Sequence, residues 1–420
     1  MTRILVLTNM YPPHHLGGYE LACRDVMGRL RERGHEIEVL TTTMRLPDVA
    51  DPPDERSLGV HRDLEFYWDD HILRTPPLRE RIAIERGNQR AIANAIARAR
   101  PDVVSVWNMG AMSLGLLTTL VERRIPVVLM LLDEWPWYAP NIDPWIRMFD
   151  GRPMLAKVAR AATGVPTALP DLETHAAFCY ISDMIRRTVE EKSRWRRPRN
   201  AGVVYCGVNT DEFPPPAGAP EPRPWRGRLL HVGRLDDRKG IHVLVDALAS
   251  MPAETTLDIV GRGDTRYAEE LRSRIAALGL TDRVRFDVAD RAELRARYAG
   301  ADAVIFPVLW EEPLGLVPIE AMACATPVVG TGTGGSGEYL LDGVNCLRVP
   351  TNDAPAIAAA VARLAGDATL RQRLVAGGIH TARELSLDRY ADVVEEWHVA
   401  AAGRFAAGHP PDRHLDLERT

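Results

Sequence analysis

Lysine is almost absent from this sequence. Only Lys157, Lys192 and Lys239 are lysines, and arginine supplies the rest of the 52 basic residues. The imbalance runs through the whole chain, so we interpret it as a compositional bias and not as a functional signal. Against this background, a lysine inside a candidate site is more informative than usual.

Cysteine is also scarce, and its spacing excludes two common classes of site. The five cysteines are scattered and none forms a Cys-x-x-Cys pair: they are Cys23, Cys179, Cys206, Cys324 and Cys346. This spacing is typical neither of a zinc site nor of a disulfide-stabilised secreted protein. The first residues also reach polar Asn9 and Pro12 too early for a secretory signal peptide. We therefore expect a reducing compartment, the cytoplasm.

Long hydrophobic runs and a strong net charge are missing as well. The apolar run Val127 to Leu132 is far shorter than the roughly 20 residues that a transmembrane helix needs. A net charge of −5 does not favour nucleic-acid binding through charge alone. The basic run Arg194 to Arg199 can contact anionic lipid or an acceptor phosphate, or it can be an ordinary exposed turn. We predict no transmembrane segment and no nucleic-acid partner, and we leave peripheral membrane contact open.

What the sequence does contain is an alternation of strand and helix patterns in two blocks. With 420 residues, of which 46% are hydrophobic and 26% charged, the chain is long enough for two globular domains. A Pro-rich stretch from Phe213 to Pro224 separates the blocks. The alternation predicts an α/β protein with doubly wound parallel sheets. The predicted segments are a first domain over 1–210, a linker over 211–226, a second domain over 227–386, a C-terminal helix over 387–405 and a flexible tail over 406–420.

The first block opens with a strand, a glycine-containing loop and a helix. The strand covers Arg3 to Thr8, the loop contains Gly17-Gly18, and the helix covers Tyr19 to Arg33. The loop lacks the Gly-x-Gly-x-x-Gly fingerprint of dinucleotide-binding proteins. We interpret Gly17-Gly18 as a place where a phosphate or sugar approaches the backbone closely, with a plain tight turn as the alternative.

An aromatic segment interrupts this alternation after the strand that ends at Leu132. It contains Trp135, Trp137 and Trp145, and the sequence looks irregular as far as about Thr174. Because α/β proteins often carry substrate sites on long loops after strand ends, we favour an aromatic lip that contacts an acceptor. The alternative is a satellite hydrophobic cluster that packs the loop on itself.

The second block contains a strand, a loop and a helix with two glutamates eight residues apart. The strand covers Ala303 to Phe306, Glu312 lies in the loop, and Glu320 lies in the helix that follows. A carboxylate beside a helix start is suited to binding a ribose diol and its diphosphate, because the helix dipole favours an anion. The alternative is that both glutamates only complement that dipole. Backbone amides with no partner inside the helix are expected at Gly315, Leu316 and Val317.

A second set of candidates lies in the turn Gly233 to Gly240, after the first strand of this block. Arg234 can donate two parallel hydrogen bonds to phosphate oxygens, and Lys239 supplies a point charge. Both are expected beside Glu312, because the carboxyl ends of parallel strands share one edge of a sheet. No Asp-x-Asp or similar carboxylate cluster is present for a divalent metal. We therefore predict a nucleoside-diphosphate pocket in which cations and amides, not a metal ion, stabilise the leaving diphosphate.

In their order and spacing, these motifs resemble the retaining glycosyltransferases of family 4, and the similarity runs nearly end to end. The most specific motif is the glutamate pair Glu312 and Glu320. The others are Gly17-Gly18 with Glu20, the helix stop at Gly34-His35, Tyr205 to Phe213, Val232-Gly-Arg with Lys239-Gly, Ile259 to Gly263, Gly334-Gly with Glu338, and Asp342 to Asn345. The resemblance implies the GT-B fold, in which two Rossmann-like, doubly wound parallel-sheet domains face each other across a cleft.

The resemblance also implies roles for individual residues. Arg234 and Lys239 would bind the donor diphosphate, Glu312 would contact hydroxyls of the transferred sugar, and Glu320 would hold the ribose. The last helix would cross back towards the first domain. The implied catalytic residues are Glu312, Arg234, Lys239 and Asp133. The implied donor-binding residues are Gly17, Gly18, Gly233, Arg234, Lys239, Gly315, Leu316, Val317 and Glu320.

The implied reaction moves a sugar from a nucleoside-diphosphate sugar to a hydroxyl acceptor, such as a glycan, a lipid or a small aglycone. The anomeric configuration is retained, and no metal ion and no cofactor besides the donor substrate are needed. The sequence departs from the family at two places. Asp133 stands where many members have a histidine, and Pro313-Leu314-Gly315 replaces the usual Pro-Phe-Gly.

Two alternatives remain beside this hypothesis. One is a different enzyme on the same fold, such as a sugar-nucleotide epimerase or hydrolase; a phosphorylase is disfavoured because no lysine suited to pyridoxal phosphate is identifiable. The other is a non-catalytic protein that binds nucleotide-sugars, which Asp133 motivates. The base, the sugar, the acceptor and the oligomeric state are not fixed by the residues.

Overall fold

The computed structural model describes residues 1–47, 49–69, 72–219 and 223–404, which group into two compact units. The first unit consists of Met1–Tyr205 together with residues 390–404, and the second of Cys206–Arg389. The predicted tail over 406–420 and part of the predicted linker lie outside the described residues. The predicted domain boundaries remain predictions.

The first unit is built on a parallel sheet of seven strands in the order β3-β2-β1-β6-β7-β8-β9, and β4 and β5 form a separate antiparallel pair. The strands are β1 (Arg3–Leu7), β2 (Glu36–Thr42), β3 (Val60–Leu64), β4 (Trp68–Asp69), β5 (Ile72–Leu73), β6 (Val103–Val106), β7 (Val127–Leu131), β8 (Ala176–Tyr180) and β9 (Asn200–Val203). Central strands such as β7 are apolar throughout because helices cover both faces of a parallel sheet. The helices are α1 (Gly18–Glu32), α2 (Leu78–Ala99), α3 (Gly115–Glu122), α4 (Trp135–Ile142), α5 (Pro153–Thr163) and α6 (Asp183–Lys192).

The second unit repeats this architecture with a parallel sheet of six strands in the order β12-β11-β10-β13-β14-β15. The strands are β10 (Arg228–Val232), β11 (Thr256–Val260), β12 (Val284–Asp287), β13 (Ala303–Phe306), β14 (Val328–Gly330) and β15 (Leu347–Arg348). The helices are α7 (Ile241–Ala249), α8 (Thr265–Ala277), α9 (Arg291–Gly300), α10 (Leu316–Ala323), α11 (Ala354–Gly366) and α12 (Ala368–Glu384). The last helix, α13 (Leu387–Ala402), belongs to the first unit from Tyr390 onward. Two Rossmann-like parallel sheets confirm the predicted fold class.

In each sheet the strand order reverses at one point, and this point positions the candidate residues. In the first unit β1 pairs with β2 on one side and with β6 on the other; in the second, β10 lies between β11 and β13. Loops after the strands at such a point leave a crevice that α/β proteins use for ligands. The turn from Gly233 follows β10 and the loop with Glu312 follows β13, so both reach this edge.

The interpretation of residues 133–174 as irregular was wrong. This stretch contains α4, a 3₁₀ turn over Ile146–Phe149, and α5. Prolines concealed α4, because Pro136 lies in its first turn, where no amide hydrogen is needed, and Pro140 lies in its last turn. A different cause concealed α5, which buries none of its residues and so has no core-facing apolar stripe. Among the described helices, none is long and apolar enough to span a bilayer.

Candidate functional site

The loop after β13 places Glu312 at the centre of a polar cluster in the second unit. Oε2 of this nearly buried carboxylate accepts hydrogen bonds from Lys239 Nζ at 2.7 Å and from Trp310 Nε1 at 2.8 Å. Within the described part of the chain, Oε1 has no hydrogen-bond donor, so it is available to a ligand hydroxyl. The predicted neighbours Lys239 and Glu312 are therefore in direct contact, as an ion pair.

The Trp310 ring adds a contact that sequence reasoning missed. The Arg238 guanidinium lies 4.6 Å from the centre of this ring, and Lys239 Nζ lies 5.6 Å from it. Both distances are typical of cation–π contacts. Trp310 thus fixes the orientation of Lys239 and of Glu312 together. Trp310 lies two residues before Glu312 in the sequence, and this short separation was the available signal.

Arg234 lies in the turn after β10 and is exposed. The turn is fixed by its neighbours: the amides of Gly233 and Leu235 donate to the carbonyls of Val260 and Arg262, each at 3.0 Å. The Arg234 guanidinium itself has no hydrogen-bond or ion-pair partner among the described residues. A cation on a rigid turn that no acidic side chain neutralises is suited to an anionic ligand.

Gly315 precedes α10 as its N-cap and lies against Glu312. With φ at +82°, it adopts a conformation that favours glycine, and a Cβ there would lie 2.9 Å from Phe306 Cζ and 3.3 Å from Glu312 Cγ. Its carbonyl accepts a hydrogen bond from the Tyr339 hydroxyl at 2.6 Å. The start of α10, with the amides of Leu316 and Val317, is therefore held close to the Glu312 carboxylate, as the sequence predicted.

Glu320 lies in the second turn of α10 and is half-buried. Its Oε2 accepts a hydrogen bond from the hydroxyl of fully buried Tyr298 at 2.7 Å. Tyr298 in turn packs edge-on against Phe213, with ring centres 5.9 Å apart. Tyr298 therefore fixes the Glu320 carboxylate. Sequence reasoning missed it because nothing in the local pattern around residue 298 points to α10.

In the first unit, the Gly17-Gly18 pair forms the start of α1. The Gly17 amide donates to Glu20 Oε2 at 3.1 Å, the bond of a capping box. The Gly17 backbone is extended, with φ at −171°, and a Cβ there would meet nothing within 4 Å. Neither conformation nor packing inside the chain thus requires a glycine at 17. Close approach of a ligand to Gly17-Gly18 stays a prediction, beside the alternative of a plain turn.

Tyr19 connects this helix start to the end of β7. Its hydroxyl donates to the Met130 carbonyl at 2.6 Å and accepts from the Leu132 amide at 3.1 Å. The next residue in the chain is Asp133, so Gly17-Gly18 and Asp133 share one edge of the first sheet. Tyr19 was another residue that the sequence did not single out.

Both carboxylate oxygens of Asp133 accept hydrogen bonds from neighbouring residues. Its Oδ1 accepts from the Trp135 amide at 3.0 Å, and its Oδ2 accepts from the Tyr138 hydroxyl at 2.9 Å and more distantly from Asn108 Nδ2 at 3.4 Å. The surrounding protein raises the pKa of Asp133 to about 7, because burial disfavours the charged form more than these bonds favour it. Near neutral pH this carboxyl group therefore changes its protonation state.

The predicted aromatic lip is wrong for two of its three tryptophans. Trp135 and Trp145 are completely buried, and Trp145 Nε1 donates to the Pro166 carbonyl at 2.7 Å. Their burial favours the alternative of hydrophobic packing, and Trp145 packs edge-on against Phe149 with ring centres 5.0 Å apart. Trp137 alone is exposed, and Lys192 Nζ lies 4.9 Å from its ring centre.

The basic run Arg194 to Arg199 is anchored at its second residue. Trp195 is buried and donates from Nε1 to the Pro170 carbonyl at 3.0 Å, while Arg194 forms an ion pair with Asp150 at 2.8 Å.

Among the described residues, no group of three or more His, Cys, Asp or Glu side chains is arranged to hold a metal ion.

Family models match both halves of the chain. Residues 16–212 match the model described as Glycosyltransferase Family 4, and residues 226–367 match the model described as Glycosyl transferases group 1. Together they include every candidate residue described above.

Several curated proteins are similar in sequence. A phosphatidyl-myo-inositol mannosyltransferase of Mycobacterium leprae is 37% identical over 231 residues, which covers 53% of this chain and 56% of that protein. A D-inositol 3-phosphate glycosyltransferase of Xylanimonas cellulosilytica is 33% identical over 219 residues, or 48% of this chain and 52% of that protein. These two matches therefore span about half the length of the relatives. A glycogen synthase of Mycobacterium tuberculosis is 25% identical over 411 residues, with 88% of each chain covered.

Solved structures show the same fold over nearly the whole chain. Anabaena HepE in complex with UDP and glucose superposes with a TM-score of 0.65 and 20% identity, covering 94% of this chain and 99% of that one. Sucrose-phosphate synthase from Thermosynechococcus elongatus superposes with a TM-score of 0.68 and 21% identity, covering 97% and 100%. With its two parallel sheets and both family models matched, the chain belongs to family 4 of the glycosyltransferases and has the GT-B fold.

Proposed function

We propose that this protein transfers a sugar from a nucleoside-diphosphate sugar to a hydroxyl group of an acceptor, with retention of the anomeric configuration. The observation that carries the proposal is the contact of Lys239 with Glu312 beside the start of α10, together with the unpaired cation Arg234. One anion-binding helix start, two cations and two fixed carboxylates match the groups of such a donor.

The diphosphate is the part of the donor that the cations would bind. Arg234 would donate two parallel hydrogen bonds to phosphate oxygens, and Lys239 would add a charge while still bonded to Glu312. The amides of Gly315, Leu316 and Val317 would supply neutral donors at the positive end of α10. Gly233 would let the backbone of the second unit approach the phosphates.

The two glutamates would recognise the hydroxyl groups at the two ends of the donor. Glu320, fixed by Tyr298, would accept hydrogen bonds from the ribose diol. Glu312 would accept from hydroxyls of the transferred sugar through the Oε1 atom that has no protein donor.

In the reaction, the bond between the sugar C1 and the phosphate oxygen breaks, and a bond from C1 to the acceptor oxygen forms on the same face. The departing phosphate oxygen takes the acceptor proton. Negative charge develops on the diphosphate as the C1–oxygen bond breaks, and Arg234, Lys239 and the α10 amides would stabilise it. Because these groups supply the required positive charge, we propose that the reaction needs no metal ion and no cofactor besides the donor.

The relatives and structural neighbours support this reaction class. The names of the relatives include a mannosyltransferase and an inositol-phosphate glycosyltransferase, and HepE was solved with UDP and glucose. A uridine-diphosphate hexose is thus the first donor to try. The described cysteines are all free and buried, which supports the proposed cytoplasmic location.

The proposal is tested by nucleotide release from a panel of nucleotide-sugars, in the presence of a chelator, first without an acceptor and then with a crude cell extract. We expect slow hydrolysis of one donor that the extract accelerates. Glu312→Ala and Lys239→Ala should each lower the rate about 100-fold or more, as loss of a preorganised charge does. Glu269→Ala, which removes an exposed carboxylate of α8 in the same unit, is the matched control and should keep the wild-type rate.

Other outcomes would lead to other conclusions. A donor that binds without hydrolysis or transfer would favour a non-catalytic binding protein. Conversion of the donor to an isomer, with no transfer to a second molecule, would favour an epimerase. Activity that disappears in the chelator and returns with a divalent cation would contradict the metal-independent mechanism.

A further inference from the structure

Helix α5 presents its large apolar side chains to solvent. Met154, Leu155 and Val158 are 72%, 46% and 63% exposed, and α5 has no buried residue. Other large hydrophobic residues are exposed singly on separate elements of the described structure, as is normal for soluble proteins. On α5, by contrast, three exposed large hydrophobic residues lie within five consecutive positions.

The arrangement inverts the usual amphipathic helix. Met154 and Val158 are one helical turn apart, with Leu155 beside them, so the three side chains share one face. The side of α5 turned towards the unit carries small residues, since Ala156 and Ala159 are its more covered positions. Helix α5 therefore packs on the unit through its small residues, and its large apolar residues form a separate, exposed face.

Hydrogen bonds to other segments hold α5 in this orientation. Arg86 donates to the carbonyls of Thr163 at 2.9 Å and Ala162 at 3.3 Å, which caps the C-terminal end of the helix. Thr167 Oγ1 donates to the Ala156 carbonyl at 2.9 Å on the covered side. The apolar face is therefore presented by a fixed helix.

Basic residues flank the apolar face. Arg152 and Lys157 have no side-chain partner among the described residues. Arg160 lies on the opposite side of the helix, where it is paired with Glu122 at 2.6 Å. Next to the start of α5, Asp150 is neutralised by Arg194 at 2.8 Å. The flank thus keeps a positive charge that no neighbouring carboxylate cancels, and it contains one of only three lysines in the chain.

We propose that α5 docks on a membrane surface that contains anionic lipids. Met154, Leu155 and Val158 insert among the acyl chains near the headgroups, and Arg152 and Lys157 contact lipid phosphates. An apolar face with Lys and Arg along its edge is the pattern of helices that lie in the membrane interface. A second copy of the chain is the less suitable occupant, because a symmetric contact would bring the unpaired cations of both copies together.

The α5 surface shares no residue with the donor site proposed above. A donor analogue can bind whether or not a membrane is present, and a vesicle can bind whether or not sugar is transferred. Failure of one proposal is therefore distinguishable from failure of the other.

Vesicle flotation with the full-length protein tests the inference. The probes are vesicles of phosphatidylcholine alone and vesicles in which phosphatidylglycerol replaces a third of it. We expect the wild type to bind the mixed vesicles and to bind pure phosphatidylcholine about tenfold less, with affinity falling as salt is added. The triple variant Met154→Gln, Leu155→Gln, Val158→Gln should lose about tenfold or more in binding, and Lys157→Glu about tenfold.

A matched control removes the same kind of exposed apolar side chain elsewhere. The triple variant Leu278→Gln, Val288→Gln, Val399→Gln should bind as the wild type does, because these residues lie on separate elements. Circular dichroism checks that both triple variants are folded. The inference is overturned if the wild type does not bind mixed vesicles, or if both triple variants lose binding equally. It is also overturned if the α5 variant only shifts sedimentation from dimer to monomer, since a second copy is then the occupant.

Discussion

At the scale of single residues, the candidate site depends on side chains that hold the candidate carboxylates in place. Trp310 fixes Glu312, Tyr298 fixes Glu320, and Tyr138 contacts Asp133, each through one hydrogen bond from a ring donor. Rigid aromatic donors of this kind lose little conformational entropy when they orient a carboxylate. Removing only the hydrogen-bond donor, with the ring kept in place, should therefore weaken ligand binding more than it lowers the stability of the fold.

Tyr298→Phe tests this for Glu320. The variant keeps the buried ring and its packing on Phe213 but removes the hydroxyl that donates to Oε2. We expect the KM for the donor to rise about three- to tenfold with little change in kcat, because a hydrogen bond to a charged group is worth about 1.5–3 kcal/mol and part of that is regained through water. Steady-state kinetics measure the changes in KM and in kcat separately.

The control for this prediction is Tyr180→Phe, which removes a buried hydroxyl of the first unit that has no hydrogen-bond partner among the described residues. It should leave both constants unchanged. A Tyr298→Phe variant with wild-type KM would show that Glu320 needs no support from this hydroxyl, or does not contact the donor.

The raised pKa of Asp133 leads us to expect that activity depends on pH. Burial raises its pKa to about 7, so its carboxylate form becomes the major one as the pH rises through 7. A carboxylate accepts hydrogen bonds from sugar hydroxyls more strongly than the protonated acid does. We expect kcat/KM for the donor to rise between pH 6 and pH 8, with a midpoint at about 7.

Asp133→Asn should abolish that rise while keeping an acceptor for the Trp135 amide. Its kcat/KM should match the wild type at acidic pH and fall below it at alkaline pH. A rise that persists in the Asn variant would assign the titration to another group. An Asn variant that lacks all activity at both pH values would point to a role for Asp133 in the chemical step.

These residues also show how far the sequence alone could lead. Glu312, Lys239 and Gly315 were predicted together, because each follows a parallel strand and the ends of such strands meet. Tyr298 and Tyr19 could not be predicted, since each acts on a residue distant in sequence through a contact that has no periodicity. Trp135 and Trp145 were misassigned because a tryptophan after a strand end is equally consistent with a lip and with a core.

At the scale of elements, close packing at the edge of the second sheet leaves no room for a side chain at Gly240. This residue precedes α7 with φ at +68°, and a Cβ there would lie 2.0 Å from the Pro307 carbonyl oxygen. The loop that leads to Glu312 is thus pressed against the start of α7. The position of Lys239, next to Gly240, depends on this contact.

Gly240→Ala is expected to destabilise the protein by about 3 kcal/mol or more, from backbone strain together with a clash that requires the β13 loop to move. Gly279→Ala separates the two effects. Gly279 has the same φ of +68°, but a Cβ there meets nothing within 4 Å, so only the strain of about 1 kcal/mol remains. Chemical denaturation measures both. Equal losses in the two variants would contradict the role of the Pro307 contact.

The elements themselves were largely predictable where the pattern was periodic. β1, α1 and β13 begin and end within a residue of the expected positions, because apolar runs and helical spacing mark them. α5 was missed for a physical reason, because its apolar face points to solvent and so gives no sign of a core contact.

At the scale of the whole molecule, buried ionisable groups set the pH dependence of stability. Burial raises the pKa of Glu85 to about 8 and that of Asp133 to about 7, and it raises the pKa of Asp143 as well. Each of these folded-state values lies above the value of an unfolded acid, so each group destabilises the fold progressively as the pH rises towards its folded pKa. His231 and His398, whose pKa burial lowers to about 4, act in the opposite direction between about pH 4 and pH 6.5.

The two effects oppose each other in moderately acidic solution. The effect of the histidines fades as the pH rises past 6.5, because the imidazoles then become mostly neutral in the unfolded state as well. The buried acids continue to titrate, so we expect stability to fall between about pH 7 and pH 8. Glu85 should contribute up to about 1.4 kcal/mol per pH unit in this range. Its Oε1 accepts from the Tyr67 hydroxyl at 2.8 Å and from Ser113 Oγ at 2.9 Å, whereas its buried Oε2 has no hydrogen-bond partner within the part of the chain that the structure describes.

Glu85→Gln should therefore reproduce the protonated acid, with the amide oxygen in the place of Oε1 and no charge to bury. Its unfolding midpoint should be close to that of the wild type at pH 6, and higher than that of the wild type at pH 8, because only the wild type must bury a carboxylate there. Thermal unfolding at both pH values measures the difference, and Glu269→Gln, at an exposed position, should follow the wild type. A Glu85→Gln variant that loses as much stability as the wild type between pH 6 and pH 8 would assign the loss to Asp133 and Asp143, and not to Glu85.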